Sequence, residues 1–278
     1  MTTPLRPMNL GELLDRSFFL YRKHFLLFVG ITAVPQLVLL AFQLAGIVVA
    51  PQSAGLTVMS IVWPLVVLFL SLAAVAASQG ATVVAVSKVH LGEPTDVSQA
   101  FAGIKGRIWK LTRIMIGVGV GIFVGFVFLI IPGIILGLMW ALAIPVAVVE
   151  GTEMVTSVQR SADLTKGSRG RIFVVYFLFG VLFYIVYLLF NIPIFYAIGL
   201  SSQKHGPASL PVWSQAALPV GTFFTQCLVG PLMTIGLSLV YYDQRVRNEA
   251  FDLQHMMAAL DGPSAVAPAP ALDAPAQF

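Results

Sequence analysis

Along this chain, long apolar runs without a formal charge alternate with short segments that hold nearly all the ionisable residues. Read on a helical period, the runs predict six spans, about 25–49, 58–86, 112–131, 134–149, 172–198 and 218–242, each of a length suited to a bilayer. The stretch from Lys105 to Glu150 sets this pattern most clearly. A basic collar opens it, and the apolar run from Ile114 to Val149 would be roughly 54 Å long as one straight helix, well beyond the ~30 Å of a hydrocarbon core. It must fold back, and Ile131-Pro132-Gly133 is the expected turn, since proline ends the donor series and glycine accepts a positive φ.

Three segments ahead of the odd-numbered spans carry apolar stripes at helical spacing. In the first, Asn9 and Glu12 form a capping pair, and Leu10, Leu13, Leu14, Phe18, Tyr21 and Phe25 share a face. In the second, Asp96 and Gln99 are the pair, followed by Val97, Ala100, Phe101, Ile104, Ile108 and Leu111. The third takes Thr152 as N-cap, runs through Val155, Val158 and Ala162, and closes at Lys166 and Gly167. The expected fold is therefore all-α: a polytopic membrane protein with six transmembrane helices in three hairpins, each preceded by an interfacial amphipathic helix. Residues 1–260 form this membrane domain, with Met1–Pro7 a frayed arm, Pro51–Gly55 a short external link and Ser201–Gln215 the one sizeable outer loop. From Asp261 the chain turns to Ala and Pro, which predicts a disordered cytoplasmic tail over 261–278.

Charge then supplies orientation. Fifteen of the sixteen Lys and Arg fall in four segments, Arg6 to Lys23, Lys88 to Arg113, Arg160 to Arg171, and Arg245 with Arg247. These are alternate connections, so the positive-inside rule places both termini in the cytoplasm, with an even number of spans. The net charge of +4 would suit nucleic acid in a soluble protein, but its confinement to the span ends speaks for lipid instead, as do a mean hydropathy of +0.90 and 58% hydrophobic residues. No nucleic acid is expected as a partner. The first apolar run is too long for a cleaved leader and is expected to remain as a span.

Within the spans, Gly117, Gly121 and Gly125, continued by Gly133 and Gly137, have the small-xxx-small register that lets helices approach closely. Ala73, Ala77, Ala81 and Ala85 repeat the spacing in the second span. Pro35, Pro145 and Pro231 are expected kinks, Trp63 and Trp213 interfacial anchors. Asn191 and Gln226 are polar groups at membrane depth. The lone Cys227 excludes a disulfide framework, the four histidines lack ligand spacing, and no carboxylate pair lies inside a span. No cofactor, metal or catalytic constellation is expected. The basic residues Arg22, Lys23, Lys105, Arg107, Lys110, Arg113, Lys166, Arg169 and Arg171 are the candidate contacts to anionic phospholipid or a membrane-protein partner, a second copy included.

Four segments resemble a known family: Leu10-Gly11-Glu12-Leu13-Leu14-Asp15-Arg16 followed by Leu20-Tyr21-Arg22-Lys23, Pro145 to Gly151, Ser161 to Gly167, and Tyr241-Tyr242-Asp243-Gln244-Arg245-Val246-Arg247. Together they are similar to the membrane domain of bacterial glycerophosphoryl diester phosphodiesterases, which also occurs as a stand-alone protein. In the fused members a separate soluble barrel carries catalysis through a His-Arg signature and acidic metal ligands. This chain has no His-Arg dipeptide and no segment long enough for that barrel, so the resemblance implies the membrane module without the activity. Three function classes follow: a non-enzymatic module organising anionic lipid or a partner through its basic ring, a permease or channel for a small or amphiphilic solute, and, with least support, an intramembrane enzyme. The second requires a path between the third, fourth and sixth spans, with a polar cavity at mid-bilayer lined by Asn191, Gln226 or unwound backbone.

Overall fold

The computed structural model describes residues 8–49, 58–90, 92–205 and 212–260. The expected arm, the external link and the Ala/Pro tail lie outside the described residues. Among those described, the chain is all-α: α1 (Leu10–Lys23), α2 (Phe25–Val49), α3 (Val58–His90), α4 (Val97–Ala102), α5 (Ile108–Phe128), α6 (Ile130–Met139), α7 (Ala143–Val149), α8 (Met154–Leu164), α9 (Arg169–His205) and α10 (Val212–Leu260). Six stretches are long and apolar enough to cross a membrane: α2, α3, α5, α6 with α7, α9 and most of α10. This is an integral membrane protein.

The spans pair in chain order and run antiparallel. In α2 and α3, Phe42 stacks on Trp63 while Arg16, just ahead of α2, reaches His90 at the end of α3. In α9 and α10, Phe190 stacks on Phe224 at one end and Arg171 meets Asp243 at the other. α5 and α6 are joined most tightly, because a Cβ on Gly125 would lie 3.0 Å from the Gly133 Cα and one on Gly133 would lie 2.6 Å from the Phe126 ring. Only glycine permits that backbone approach.

The turn between α5 and α6 differs from the expectation. A single extended residue, Leu129 (φ −166°, ψ 147°), reverses the chain, and Pro132 and Gly133 already belong to α6. Proline sits in that first turn without cost, since its missing N–H would have no intrahelical acceptor there. Gly133 is needed for closeness to Gly125 and not for a positive φ, which among the described residues occurs at Gly92, Gly106, Gly151 and Gly167.

The second lead-in is also corrected. Asp96 caps it as expected, through the Gln99 N–H at 2.7 Å, but the helix ends at Ala102, and Gly106 (φ +78°) turns the chain before α5. Part of its stripe is buried even so, at Ala100, Ile104 and Leu111, because turns can present the same apolar side chains once they pack against α3; Val97 and Phe101 are half-buried and Ile108 is exposed. The first lead-in has the full capping box, with Glu12 N–H to Asn9 at 2.8 Å and Asn9 N–H to Glu12 at 3.0 Å.

α8 departs in part from the expected face, with Val158 and Ala162 half-buried. Glu153, not Thr152, is its N-cap; Val155 is exposed, and the buried residues are Ser157, Ser161, Leu164 and Thr165. The reason lies in the fourth span, which breaks at Trp140–Leu142. The Ser161 hydroxyl donates to the Met139 carbonyl (2.8 Å) and accepts from the Leu142 N–H (3.1 Å), mending both sides of the break. Pro145 therefore opens a new helix, α7, where a bend in a continuous one was expected.

The molecule is organised around α10 and not around the 105–150 stretch. Two-thirds (67%) of the apolar window of α10 is buried against 17% in α9, and α10 packs on α1, α2, α3, α7, α8 and α9. Large side chains such as Phe123, Phe177 and Leu189 point outward from the peripheral spans, as a lipid-facing surface requires.

Candidate functional site

Two places gather polar chemistry. The first is the charged end, where the four segments singled out in the sequence meet. Asp243, with its side chain 1% exposed, accepts from Arg171 Nη1 (2.7 Å), Arg247 Nε (2.9 Å) and the Met8 N–H (2.7 Å). The same two guanidinium groups donate to the Met8 carbonyl at 2.7 and 2.8 Å. Glu150, at the end of α7, accepts from the Tyr241 hydroxyl (2.9 Å) and lies 3.5 Å from Arg160. Lys110 reaches Glu153 (3.0 Å) and the Gly151 carbonyl (2.8 Å). Charge-assisted bonds of this kind hold α1, α5, α7, α8, α9 and α10 in one register at the membrane boundary.

The nine basic candidates thus separate. Lys110 and Arg171 are engaged within the chain. Lys105, Arg107, Arg113 and Lys166 are exposed at the same end, Lys166 loosely beside Asp163 at 4.0 Å, while Arg22 and Lys23, also exposed, close α1 next to Tyr21, with Lys23 over the Phe19 ring. Arg169 is half-buried. Phe18, Phe19 and Trp109 stand exposed among them. Burial also acts on Tyr21, whose hydroxyl donates to the Leu228 carbonyl at 2.6 Å: desolvation, helped by nearby Cys227, pushes its pKa up to about 12.

The second place is a cavity of about 310 Å³ enclosed by α2, α3, α9 and α10. Thr32, Gln36, Ser78, Gln79, Thr82, Gln226 and Thr234 supply its polar lining, and every one is uncharged. Gln226 lies 17 residues before Asp243, and Thr82 six residues before Lys88. At 1.5 Å per residue the polar lining therefore runs from about 9 to about 25 Å below the charged boundary, at membrane depth. A smaller cavity of about 140 Å³ shares Gln79, Met233 and Thr234 with it and reaches the helix break at Trp140 and Ala141.

Of the polar groups expected at depth, Gln226 lines the larger cavity and Asn191 does not, and that cavity lies between the first, second, fifth and sixth spans where a path between the third, fourth and sixth was expected. Asn191 faces Gly221 between α9 and α10 and donates to the Tyr187 carbonyl at 2.9 Å. The remaining lining residues escaped the sequence reading, although Thr32/Gln36, Ser78/Thr82 and Gln226/Thr234 stand four or eight residues apart and make polar stripes within apolar spans. Among the described residues no group of three His, Cys, Asp or Glu could hold a metal ion.

Compared with family models, with curated proteins and with solved structures, the chain matches none. Function has to be argued from the two sites themselves.

Proposed function

We propose that this membrane protein is a non-enzymatic module that engages anionic lipid through the cationic rim at its charged end. One observation carries the reading: Glu150, Glu153 and Asp243 are occupied by Arg160, Lys110, Arg171 and Arg247, while Lys105, Arg107, Arg113 and Lys166 at that end, and Arg22 and Lys23 at the close of α1, remain exposed, as do Phe18, Phe19 and Trp109. Each such cation near an anionic surface contributes about 1 kcal/mol, and the aromatic rings suit the headgroup layer. By the positive-inside rule this end is cytoplasmic, and the resemblance to a membrane domain of bacterial proteins suits a bacterial inner membrane. The resemblance to the glycerophosphoryl diester phosphodiesterase membrane domain is in keeping with a membrane module, and a membrane-protein partner or a second copy would meet the same rim.

The test replaces Lys105, Arg107 and Arg113 by Gln and leaves Lys110 in place because it also holds Glu153. In nanodiscs of mixed phosphatidylglycerol and phosphatidylcholine, enrichment of phosphatidylglycerol around the protein should fall at least fivefold. Unchanged enrichment in a folded variant removes the proposal. A second reading, a permease for a small or amphiphilic solute, is favoured by the uncharged polar cavity at membrane depth.

A further inference from the structure

We infer that the cavity between α2, α3, α9 and α10 is a binding site for an uncharged amphiphile: its hydroxyl- or amide-bearing head among Gln36, Gln79 and Gln226, its chain in the bilayer beside α9. This deepens the permease reading by naming the ligand class, and it requires binding without requiring passage.

The lining decides the class. No ionisable side chain faces the cavity, so a charged head at this depth would meet no counter-charge, whereas a neutral one needs only hydrogen bonds. Those bonds are on offer. Among the described residues, the carboxamides of Gln36, Gln79 and Gln226 have no hydrogen-bond partner in the chain, and each brings two donors and an acceptor. The hydroxyls of Thr32, Ser78 and Thr234 donate to the carbonyls of Phe28, Ala74 and Gly230 in their own helices, which leaves their oxygens as acceptors. Three amides at membrane depth are costly unless something answers them, and a head with donors and acceptors does so.

Size and access fix the rest. The volume is that of about ten waters, at the lower end of small-molecule sites, enough for a compact head and the first carbons of a chain. The backbone of α9 approaches α10, α6 and α1 but neither α2 nor α3, so between α9 and the α2–α3 pair side chains alone bound the cavity, and this is the side from which a lipid chain would enter. Gly180, on the α9 wall, is exposed and has open space where a Cβ would stand. Phe179, Phe183, Val75 and Met233 complete an apolar flank for the chain.

The experiment uses the full chain in phosphatidylcholine nanodiscs with a diazirine analogue of N-oleoylethanolamine, whose head is one amide and one hydroxyl. Saturable labelling should map to α3, α9 or α10 at the cavity, and unlabelled N-oleoylethanolamine should displace it at a concentration about tenfold lower than oleate, which has a similar chain and a charged head. Gln79→Leu and Gln226→Leu should each weaken displacement about fivefold or more, and Gly180→Trp should block labelling; circular dichroism and gel filtration establish that each variant is folded. Gly180→Ala, which fits without filling the opening, should label as the wild type does and covers the case of a misfolded tryptophan variant. Non-saturable labelling, equal displacement by oleate, or full affinity in both glutamine variants overturns the assignment. So does loss of labelling in the Lys105, Arg107 and Arg113 variant alone, which would move the site to the rim. Passage of the probe in proteoliposomes is read separately: labelling without passage upholds the site and ends the permease reading, while passage without labelling at the cavity ends this one.

Discussion

Asp243→Asn removes one charge and almost no volume, and it strikes the point where three parts of the chain are tied. The carboxylate is buried and answers Arg171 at 2.7 Å and Arg247 at 2.9 Å, while its other oxygen takes the Met8 N–H at 2.7 Å. Asparagine keeps an acceptor for Met8, so that bond should persist. What is lost is the counter-charge for Arg171, itself only 18% exposed, and removing one member of a buried pair typically costs 3–5 kcal/mol. Arg247 is 39% exposed and can turn to water, adding at most about 1 kcal/mol. The expected loss is about 3 kcal/mol, the low end, since Arg171 retains the Met8 carbonyl. Reversible unfolding in mixed micelles measures it directly, and proteolysis near Met8 should become faster in the same variant as the arm loosens. The double variant Arg171→Met with Asp243→Leu should recover part of the loss, because neither charge is then left buried alone. An Asp243→Asn protein within about 0.5 kcal/mol of the wild type would overturn the claim that this cluster fastens α1 and α9 to α10.

Three further outcomes follow from particular contacts. Gly125→Leu should destabilise the α5–α6 hairpin by about 1–3 kcal/mol, because its Cβ already meets Gly133 backbone at 3.0 Å, whereas Gly137→Ala, whose nearest neighbour is Ile122 at 3.8 Å, should be nearly neutral in the same unfolding assay. Ser161→Ala should cost about 2 kcal/mol by leaving the Met139 carbonyl and Leu142 N–H without their shared hydroxyl, partly relieved by Thr165 at 3.4 Å from that carbonyl; hydrogen exchange at Leu142 should rise. Tyr21 is held neutral, with its folded pKa raised from 10.0 to about 12, so its contribution is whole below pH 10 and is lost as pH rises from there through 12. Tyr21→Phe should remove that alkaline step from the unfolding curve, and an unchanged step would place its origin elsewhere.

Much of this architecture was legible along the chain because membrane solvation leaves few choices. A span cannot hold an unanswered charge, so the uncharged runs mark the six helices and the basic segments mark their shared end. Local chemistry was legible for the same reason wherever partners lie within one turn, as in the Asn9–Glu12 box and the Asp96 cap. Gly117, Gly121, Gly125, Gly133 and Gly137 stand in line along the sequence, but which of them touch depends on where the hairpin turns; Leu129 sets that point a few residues from the expected one, and Gly125 with Gly133 is the pair that meets.

What periodicity could not supply is which face of a helix meets which neighbour. In water an apolar stripe is buried almost by default, but at a membrane an apolar face has lipid as an equally good alternative, so α8 could turn its serines inward to mend a broken helix and leave Val155 outside. The central place of α10, the inward pairing of Lys110 and Arg171, and the meeting of Gln36, Gln79 and Gln226 were likewise decided only by three-dimensional packing. One-dimensional hydropathy determined which segments enter the bilayer; contacts between residues as far as 239 positions apart, such as Met8 with Arg247, determined what those segments do to one another.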